Sequence, residues 1–384
     1  MRIAFTSVSG PEDGSYWSGT PLSMKTHLQE EFSDLIHIGP LDLLWQPFKQ
    51  KHLIYEQMLR TKYIWELEPV VHQYLSMQVA RELKKHSDID LIFSNGSFPY
   101  PNAFLDTEIP IVCWADATFA GLVEEHPGYR SICEENLWVG HKLQQRILDR
   151  SKLAIFSTEW AAETALKHYA VEESKVKVVP FGANLPSKLP DRDEIKRIVE
   201  NRSQEECRLL FIGRDWIEKG GSFAVDTLRA LEGKGTKAHL TVVGCTIPDG
   251  ISDQLKDRIT NIPVVHKDKD QQSEELQSLL ENSHFLLLPT QGECFGMVIS
   301  EANAYGLPAL AHATGGVPSV IAQGKNGFCF SKPQSAEEYA ECAAKYFNNL
   351  EAYKSLCASS HEESMERLNW RTSIKKIREL VESL

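Results

Sequence analysis

The sequence predicts an α/β protein built of two parallel sheets, and three observations lead to this class. Short apolar segments typical of buried strands alternate with amphipathic, helix-like stretches along all 384 residues. Apolar strands that are separated by helices indicate parallel sheets covered on both faces. The alternation is interrupted once, at 180–193, where three prolines and one glycine precede a charged helical stretch.

The elements expected from this alternation suggest where the domains begin and end. The expected strands, in chain order, are 2–7, 91–94, 111–114, 153–157, 175–179, 208–212, 239–243, 263–266, 285–288, 309–311 and 327–330. The clearest helical periods are at 134–150, 158–169 and 223–232. With the interruption as the boundary, we expect two Rossmann-like domains, 1–185 and 186–360. The charged stretch 361–384 has Trp370, Ile374, Ile377 and Leu380 roughly on one helical face, and it either caps the second domain or returns to the first.

Composition and charge exclude several classes of protein. Hydrophobic residues make up 42% and charged residues 24%, which is an ordinary globular balance. The net charge of −12 argues against a protein that binds nucleic acid. Eight cysteines without paired ligand spacing favour reduced thiols and a cytoplasmic location. The short apolar start does not resemble a secretory leader, and no apolar run is long enough to span a membrane, so we expect a soluble protein.

One basic and aromatic segment, 45–63, departs from the acidic trend. It contains Lys49, Lys51, Arg60 and Lys62 against Glu56. Its aromatic residues are Trp45, Phe48, Tyr55 and Tyr63. The segment is either a solvated helix face with aromatic core contacts or a surface that faces the acceptor or a lipid. Peripheral contact with a membrane is therefore an open alternative.

Two carboxylates stand eight residues apart around the start of a predicted helix. The strand 285–288 is followed by a glycine-containing loop, and a helix is expected to begin near Phe295 or Gly296. Such a junction presents free backbone N–H groups and the positive end of the helix dipole, which favour an anion. Glu293 lies in the loop and Glu301 two turns into the helix. Taken alone, Glu301 also fits a glutamate on a helix surface.

A second loop places two cations five residues apart after the strand 208–212. Arg214 and Lys219 lie at the carboxyl end of that strand, the edge of a doubly wound sheet where ligands bind. A planar guanidinium and a point-like ammonium together suit a diphosphate, although a solvated charged turn is the alternative. A third loop, 313–318, contains Gly315 and Gly316. The GxGxxG motif of dinucleotide oxidoreductases is absent.

These motifs together resemble the signature set of the retaining glycosyltransferases of family 4, which have the GT-B fold. The resemblance is specific over 209–330 and weaker in the first domain, where residues 16–21 stand at the position of the family's glycine loop. Phe181 and Asn184 replace the usual Asn and Asp of the interdomain turn. The resemblance implies two Rossmann-like domains facing across a cleft, with the last helix returning to the first. It assigns the acceptor to 1–185, with 361–384 packed back on it, and the nucleotide sugar to 186–360.

The resemblance also implies roles for individual residues. Arg214 and Lys219 hold the donor diphosphate, Glu293 binds hydroxyls of the transferred sugar, and Glu301 accepts from the ribose hydroxyls. Gly19 lets backbone approach the phosphate, because a side chain there would collide. The other donor-binding candidates are Gly213, His266, Phe295, Gly296, Met297 and Val298.

Asp116 stands where many members of the family carry a histidine. An aspartate there either contacts the donor sugar or takes the proton of the acceptor. Equally, Asp116 is a candidate N-cap for the stretch that begins at Thr118. His126 is a weaker catalytic candidate, and a loop histidine is its plainer interpretation.

No metal or other cofactor is expected, because Arg214 and Lys219 take the place of a cation. The Asp-x-Asp pairs at Asp88 and Asp268 lack the loop and nucleotide context of a metal site. The function implied is transfer of a hexose from a nucleotide diphosphate sugar, UDP favoured over GDP, to an acceptor hydroxyl with retention. Such a reaction belongs to glycan, glycolipid or glycoconjugate biosynthesis. The alternatives are an inactive nucleotide-sugar-binding subunit and a GT-B sugar-nucleotide epimerase. A phosphorylase is disfavoured, because no motif for its pyridoxal phosphate is visible.

Overall fold

The computed structural model describes residues 1–10, 16–44, 46–96, 98–185, 189–251, 253–263, 270–331 and 335–384. The chain divides into two compact units, residues 1–180 with 370–384 and residues 181–369. The sequence pattern places the boundaries after residues 185 and 360, whereas the structure divides the chain after Pro180 and Asn369.

The first unit contains a parallel sheet of six strands among its described residues. The strands are β1 (Arg2–Thr6), β2 (Asp34–Ile38), β3 (Leu91–Ser94), β4 (Ile111–Ala115), β5 (Ser151–Phe156) and β6 (Val176–Val178), in the order β2-β1-β3-β4-β5-β6. The helices are α1 (Thr20–Glu31), α2 (Lys49–Gln57), α3 (Pro69–Leu83), α4 (Phe119–Glu125), α5 (Glu134–Arg150) and α6 (Glu159–His168). The sequence does not predict β2, because it is an edge strand with exposed, polar residues among its apolar ones.

The second unit contains another six-stranded parallel sheet within its described part. The strands are β7 (Cys207–Ile212), β8 (Ala238–Val243), β9 (Ile259–Ile262), β10 (Phe285–Leu288), β11 (Ala309–His312) and β12 (Gly327–Phe330), in the order β12-β11-β10-β7-β8-β9. The helices are α7 (Arg192–Asn201), α8 (Gly221–Gly233), α9 (Asp253–Lys256), α10 (Asp270–Asn282), α11 (Met297–Ala304), α12 (Val317–Val320), α13 (Ala336–Phe347) and α14 (Leu350–Glu366). Apart from Pro263, which is not in a strand, the strand predicted at 263–266 lies outside the described residues. The strand that precedes it, β9, was not predicted, because its centre is the polar pair Thr260 and Asn261.

Each sheet reverses its direction of growth at one point. In the first unit the chain moves outward from β1 to β2 and then returns to the other side of β1 as β3. In the second unit it moves from β7 to β9 and returns beside β7 as β10. The carboxyl ends of the two strands that flank such a reversal leave a crevice, and ligands of doubly wound sheets bind there. The loops after β1 and β3 and the loops after β7 and β10 therefore lie where a ligand would bind.

The last helix, α15 (Trp370–Glu382), belongs to the first unit. Its Trp370 ring meets the ring of Trp114 edge-on, with 5.5 Å between the centroids. Ser373 Oγ donates to the carbonyl of Pro180 at 2.6 Å, and Arg378 forms an ion pair with Glu31 of α1 at 2.9 Å. The expected return of the C-terminal helix to the first domain is confirmed.

Candidate functional site

Three loops of the second unit are bonded to one another at the carboxyl edge of its sheet. The loops 213–220, 289–296 and 313–316 follow β7, β10 and β11. The N–H of Gln291 donates to the carbonyl of Glu218 at 2.8 Å, and the N–H of Gly316 donates to the carbonyl of Glu293 at 3.0 Å. Backbone and side-chain groups separated widely in sequence are thus held in one place at the crevice between β7 and β10.

Two glycines allow these loops to approach so closely. Gly220 has φ of 78°, and a Cβ atom built on it would lie 2.0 Å from the carbonyl oxygen of Pro289. Gly315 has φ of 51°, and its Cβ atom would lie 2.0 Å from the carbonyl oxygen of Glu293. Both positions require glycine for conformation and for space.

Lys219 and Glu293 form the charged centre of this arrangement. Lys219 Nζ lies 2.9 Å from Glu293 Oε2 and 3.5 Å from a carboxylate oxygen of Glu218. The two paired side chains are only 20% and 18% exposed. Burial by itself lowers the pKa of Lys219, but the carboxylates of Glu293 and Glu218 outweigh burial and raise that pKa above its ordinary value. The ammonium is therefore charged at neutral pH and is held in a fixed position.

Arg214 lies on the same loop as Lys219 but is exposed. Asp215, next to it, accepts a hydrogen bond from the N–H of Glu218 at 2.6 Å and fixes the turn between the two cations. Gly213 begins the turn, and a Cβ atom there would lie 2.7 Å from Cγ of Lys219. A solvated charged turn describes Arg214 but not Lys219, whose ion pair is largely shielded.

Glu301 is 2% exposed, so the interpretation as a surface helix glutamate is wrong. It lies in the middle of α11, whose first residue is Met297 and whose N-cap, Gly296, has φ of 85°. The N–H groups of Met297 and Val298 begin this helix, where intrahelical partners are lacking. Phe295, just before the N-cap, is buried against Phe181, with 5.3 Å between ring centroids. The aromatic replacement at 181 therefore supports the loop that carries Glu293.

In the first unit, Asp116 is bonded to the loop that carries Gly19. Trp17 Nε1 donates to Asp116 Oδ2 at 2.8 Å. Trp17, Ser18 and Gly19 all have left-handed backbone, with φ of 44°, 57° and 82°. The N-cap of α4 is Thr118, whose hydroxyl accepts from the N–H of Gly121 at 3.1 Å, so the N-cap interpretation of Asp116 is wrong. The turn that contains Gly19 is thus tied to Asp116 through the indole of Trp17.

Residues 191–360 match the family model described as glycosyl transferases group 1. Over these residues, which make up most of the second unit, the chain is similar to the glycosyl transferases of group 1. The three bonded loops, with Lys219, Glu293 and Glu301, lie within the matched residues.

Curated relatives are similar over parts of their length. The sulfoquinovosyl transferase SQD2 of Arabidopsis thaliana is 26% identical over 189 residues, which are 48% of this chain and 35% of that protein. The D-inositol 3-phosphate glycosyltransferase of Corynebacterium jeikeium (strain K411) is 24% identical over 274 residues, 67% of this chain and 61% of that protein. The chain thus spans between about a third and about three fifths of the length of these relatives.

A solved structure is similar over the whole chain. The crystal structure of Anabaena Alr3699/HepE in complex with UDP aligns over 100% of both chains, with a TM-score of 0.66 and 17% sequence identity. Together with the two parallel sheets, this likeness shows the GT-B fold.

The remaining sequence candidates do not belong to the three loops of the second unit, and one residue of those loops was not a candidate. His266 and Lys267, the candidates for the base pocket, lie outside the described residues. His126 accepts from the N–H of Gly128 at 3.1 Å and shapes a turn, as a loop histidine does. Glu218 was not recognised, because a glutamate directly before a lysine belongs to no motif, and only the structure shows its carboxylate 3.5 Å from Lys219 Nζ.

The basic and aromatic segment is partly described, since Trp45 lies outside the described residues. Tyr63 is buried and stacks on Tyr55 at 5.0 Å, whereas no side chain of α2 is buried. Lys51 binds the carboxylates of Glu68 and Glu135. The exposed apolar side chains are Leu53, Ile54, Met58 and Leu59. Aromatic contacts with the core are present, and the lipid-facing interpretation stays a prediction that co-sedimentation with anionic vesicles tests.

No group of His, Cys, Asp or Glu side chains suited to a metal occurs among the described residues. Asp90 of the first Asp-x-Asp pair accepts from the N–H of Arg2 at 2.7 Å, as expected of the polar start of a strand. Within the same residues, no helix combines the length and the apolar character needed to cross a membrane.

Proposed function

We propose that the protein is a glycosyltransferase that moves a hexose from a nucleoside diphosphate sugar to a hydroxyl of an acceptor. The observation that carries this proposal is the shielded pair Lys219–Glu293 at the reversal point of the second unit's sheet. An ammonium suits a diphosphate, and a carboxylate accepts from sugar hydroxyls, so the pair matches the two halves of such a donor.

The residues of the second unit act on the donor. Lys219 and Arg214 hold the diphosphate and stabilise the charge that grows on it as the bond to the sugar breaks. Each hydrogen bond to a charged group contributes about 1.5–3 kcal/mol. Glu293 binds hydroxyls of the sugar and Glu301 those of the ribose. The N–H groups that begin α11 face sugar and phosphate.

The first unit is assigned to the acceptor. Gly19 lets the backbone approach the donor phosphate closely, and Asp116 contacts the donor sugar or takes the acceptor's proton.

We place the enzyme in the cytoplasm, in the synthesis of a glycan, glycolipid or other glycoconjugate. The eight free thiols agree with a reducing compartment.

We favour UDP over GDP as the nucleotide. The similar Anabaena protein was crystallised with UDP and, in another structure, with UDP-glucose. A thermal-shift comparison of UDP-sugars and GDP-sugars tests this choice. A larger rise in melting temperature with GDP-sugars would reverse it.

Transfer is expected to retain the anomeric configuration of the donor sugar. The carboxylates at this place, Glu293 and Glu218, are engaged by Lys219, so we favour front-face substitution over a covalent intermediate. The acceptor oxygen bonds to the carbon that the diphosphate leaves, and the proton of the acceptor passes to the departing diphosphate or to Asp116. Proton NMR of the product checks this expectation through the anomeric coupling. A product with an inverted anomeric centre would contradict the mechanism. Binding of the nucleotide sugar without any product would favour an inactive binding subunit. Conversion of the nucleotide sugar into its epimer would favour an epimerase.

Activity is expected to persist in excess EDTA. Lys219 and Arg214 supply the positive charge that a divalent cation supplies in metal-dependent transferases. The measurement is the initial rate with the protein dialysed against EDTA and with added magnesium. A rate that falls to background with EDTA and returns with magnesium would contradict the metal-independent site.

A further inference from the structure

Asn95 is a buried side chain whose amide lacks hydrogen-bond partners in the part of the chain that the structure describes. It is 1% exposed, and neither Nδ2 nor Oδ1 is bonded. A buried amide without partners loses its hydration and gains nothing in return, so such a group in a native fold requires an explanation.

Asn136 and Asn326 are buried asparagines whose amides are satisfied. Asn136 Oδ1 accepts from the N–H of Ile64, and its Nδ2 donates to the carbonyl of Ile64 at 3.1 Å. Asn326 Nδ2 donates to Oδ1 of Asn303 at 2.8 Å, and its own Oδ1 accepts from the N–H of Ala322 at 2.7 Å. Asn102 leaves only its Oδ1 without a partner, whereas Asn95 is the buried asparagine of the described residues in which both amide atoms lack one.

Asn95 stands at the reversal point of the first sheet. It directly follows Ser94, the last residue of β3, which pairs with Thr6 of β1 and Cys113 of β4. The chain then turns at Gly96, where φ is 63° and a Cβ atom would lie 2.4 Å from the carbonyl oxygen of Trp114. This close backbone contact fixes Asn95 at the carboxyl edge, in the position where doubly wound sheets bind ligands.

The described parts of the loops that follow β1, β3, β4 and β5 contain polar side chains but no lysine or arginine. These loops are residues 7–19, 95–110, 116–118 and 157–158. Ser9 Oγ and Asn102 Oδ1 are further buried oxygens without partners among the described residues. A phosphate or carboxylate ligand would need a positive partner, whereas a hydroxyl is satisfied by an amide that both donates and accepts.

We propose that Asn95 binds a hydroxyl group of an uncharged, polyhydroxylated part of the acceptor and thereby selects a neutral sugar or polyol. The proposal rests on the glycosyltransferase function proposed above. Asn95 binds through its amide and is a specificity-determining residue. The fold carries this unsatisfied amide in the absence of acceptor because its partners arrive with the substrate.

The test compares Asn95→Leu with wild type, since leucine has nearly the same size and no polar atoms. The probes are methyl glucoside, methyl galactoside, methyl mannoside and myo-inositol, with glucuronate as the charged comparison. Saturation-transfer NMR gives each Kd while a non-transferable donor analogue fills the donor sugar position. We expect at least one neutral probe to bind wild type better than glucuronate, and its Kd to rise about tenfold or more in Asn95→Leu. The melting temperature of the variant is expected to stay equal or rise, because a buried unsatisfied amide is removed.

Asn136→Leu is the matched control. It deletes a satisfied buried amide and leaves the N–H and carbonyl of Ile64 unpaired, so its melting temperature is expected to fall. The proposal is overturned if Asn95→Leu binds the neutral probes with the Kd of wild type, or if it loses as much stability as Asn136→Leu. It is also overturned if no neutral probe binds wild type, or if glucuronate binds wild type as tightly as the best neutral probe does. Failure of the function itself shows differently, because then wild type forms no glycosylated product from any nucleotide sugar, whether or not the neutral probes bind and Asn95→Leu weakens them.

Discussion

Lys219→Ala is expected to lower the rate of transfer by about a hundredfold to a thousandfold, the usual cost of removing one fixed group that stabilises developing charge. The ammonium is held 2.9 Å from Glu293 and is largely shielded, so no mobile cation replaces it well. The effect is expected in kcat as well as in kcat/KM, because the charge on the diphosphate grows in the transition state. Steady-state kinetics with the preferred donor measure it.

Lys234→Ala is the control for this substitution. Lys234 lies in the same unit and pairs with Glu341 at 3.0 Å, but at an exposed site away from the three loops. It is expected to keep wild-type kinetics. Circular dichroism and thermal melting verify that both variants are folded. A wild-type rate in folded Lys219→Ala would remove the diphosphate role.

Gly315→Ala is expected to reduce transfer by about a hundredfold, although residue 315 carries no chemical group. Its Cβ atom would lie 2.0 Å from the carbonyl oxygen of Glu293, which is backbone and cannot turn aside. The loop 289–296 must shift, and displacements of about 1 Å at a reacting centre cost about this much. Kinetics and the melting temperature are the measurements, and both are expected to decline.

Gly235→Ala separates the steric effect from backbone strain. Gly235 has φ of 81° and no atom within 4 Å of its Cβ position, so alanine there meets strain without collision. It is expected to lose about 1 kcal/mol of stability and no activity. Equal activities of the two alanine variants would show that the contact of Gly315 with Glu293 does not position the site.

The sequence predicts the donor loops well because their constraints are local. Charged residues at the ends of apolar strands, and glycines in short loops before helices, follow from conformation and from sheet topology alone. The burial of Glu301 was not predictable, since a single glutamate on a helix looks the same in sequence whether it faces solvent or not. The contact of Trp17 with Asp116 was not predictable either, because it depends on two non-glycine residues in left-handed backbone.

Two edge strands were also not predictable from the sequence. The strands β2 and β9 each have one neighbour in their sheet and keep polar residues, so the apolar runs that reveal central strands are missing from them.

Arg202 is another residue whose environment the sequence does not predict. In sequence it ends a charged helical stretch at the domain boundary, but its guanidinium is buried and donates to the carbonyls of Tyr305 and Gly306 at 2.9 and 3.0 Å.

Because α15 is part of the first unit, the second unit is an insertion within the first. The helix that carries Trp370 is synthesised after all of residues 181–369. Until then the indole of Trp114 and the face of α1 have nothing of α15 to pack against. The first unit therefore cannot complete its own packing until residues that follow the whole second unit in sequence have been made.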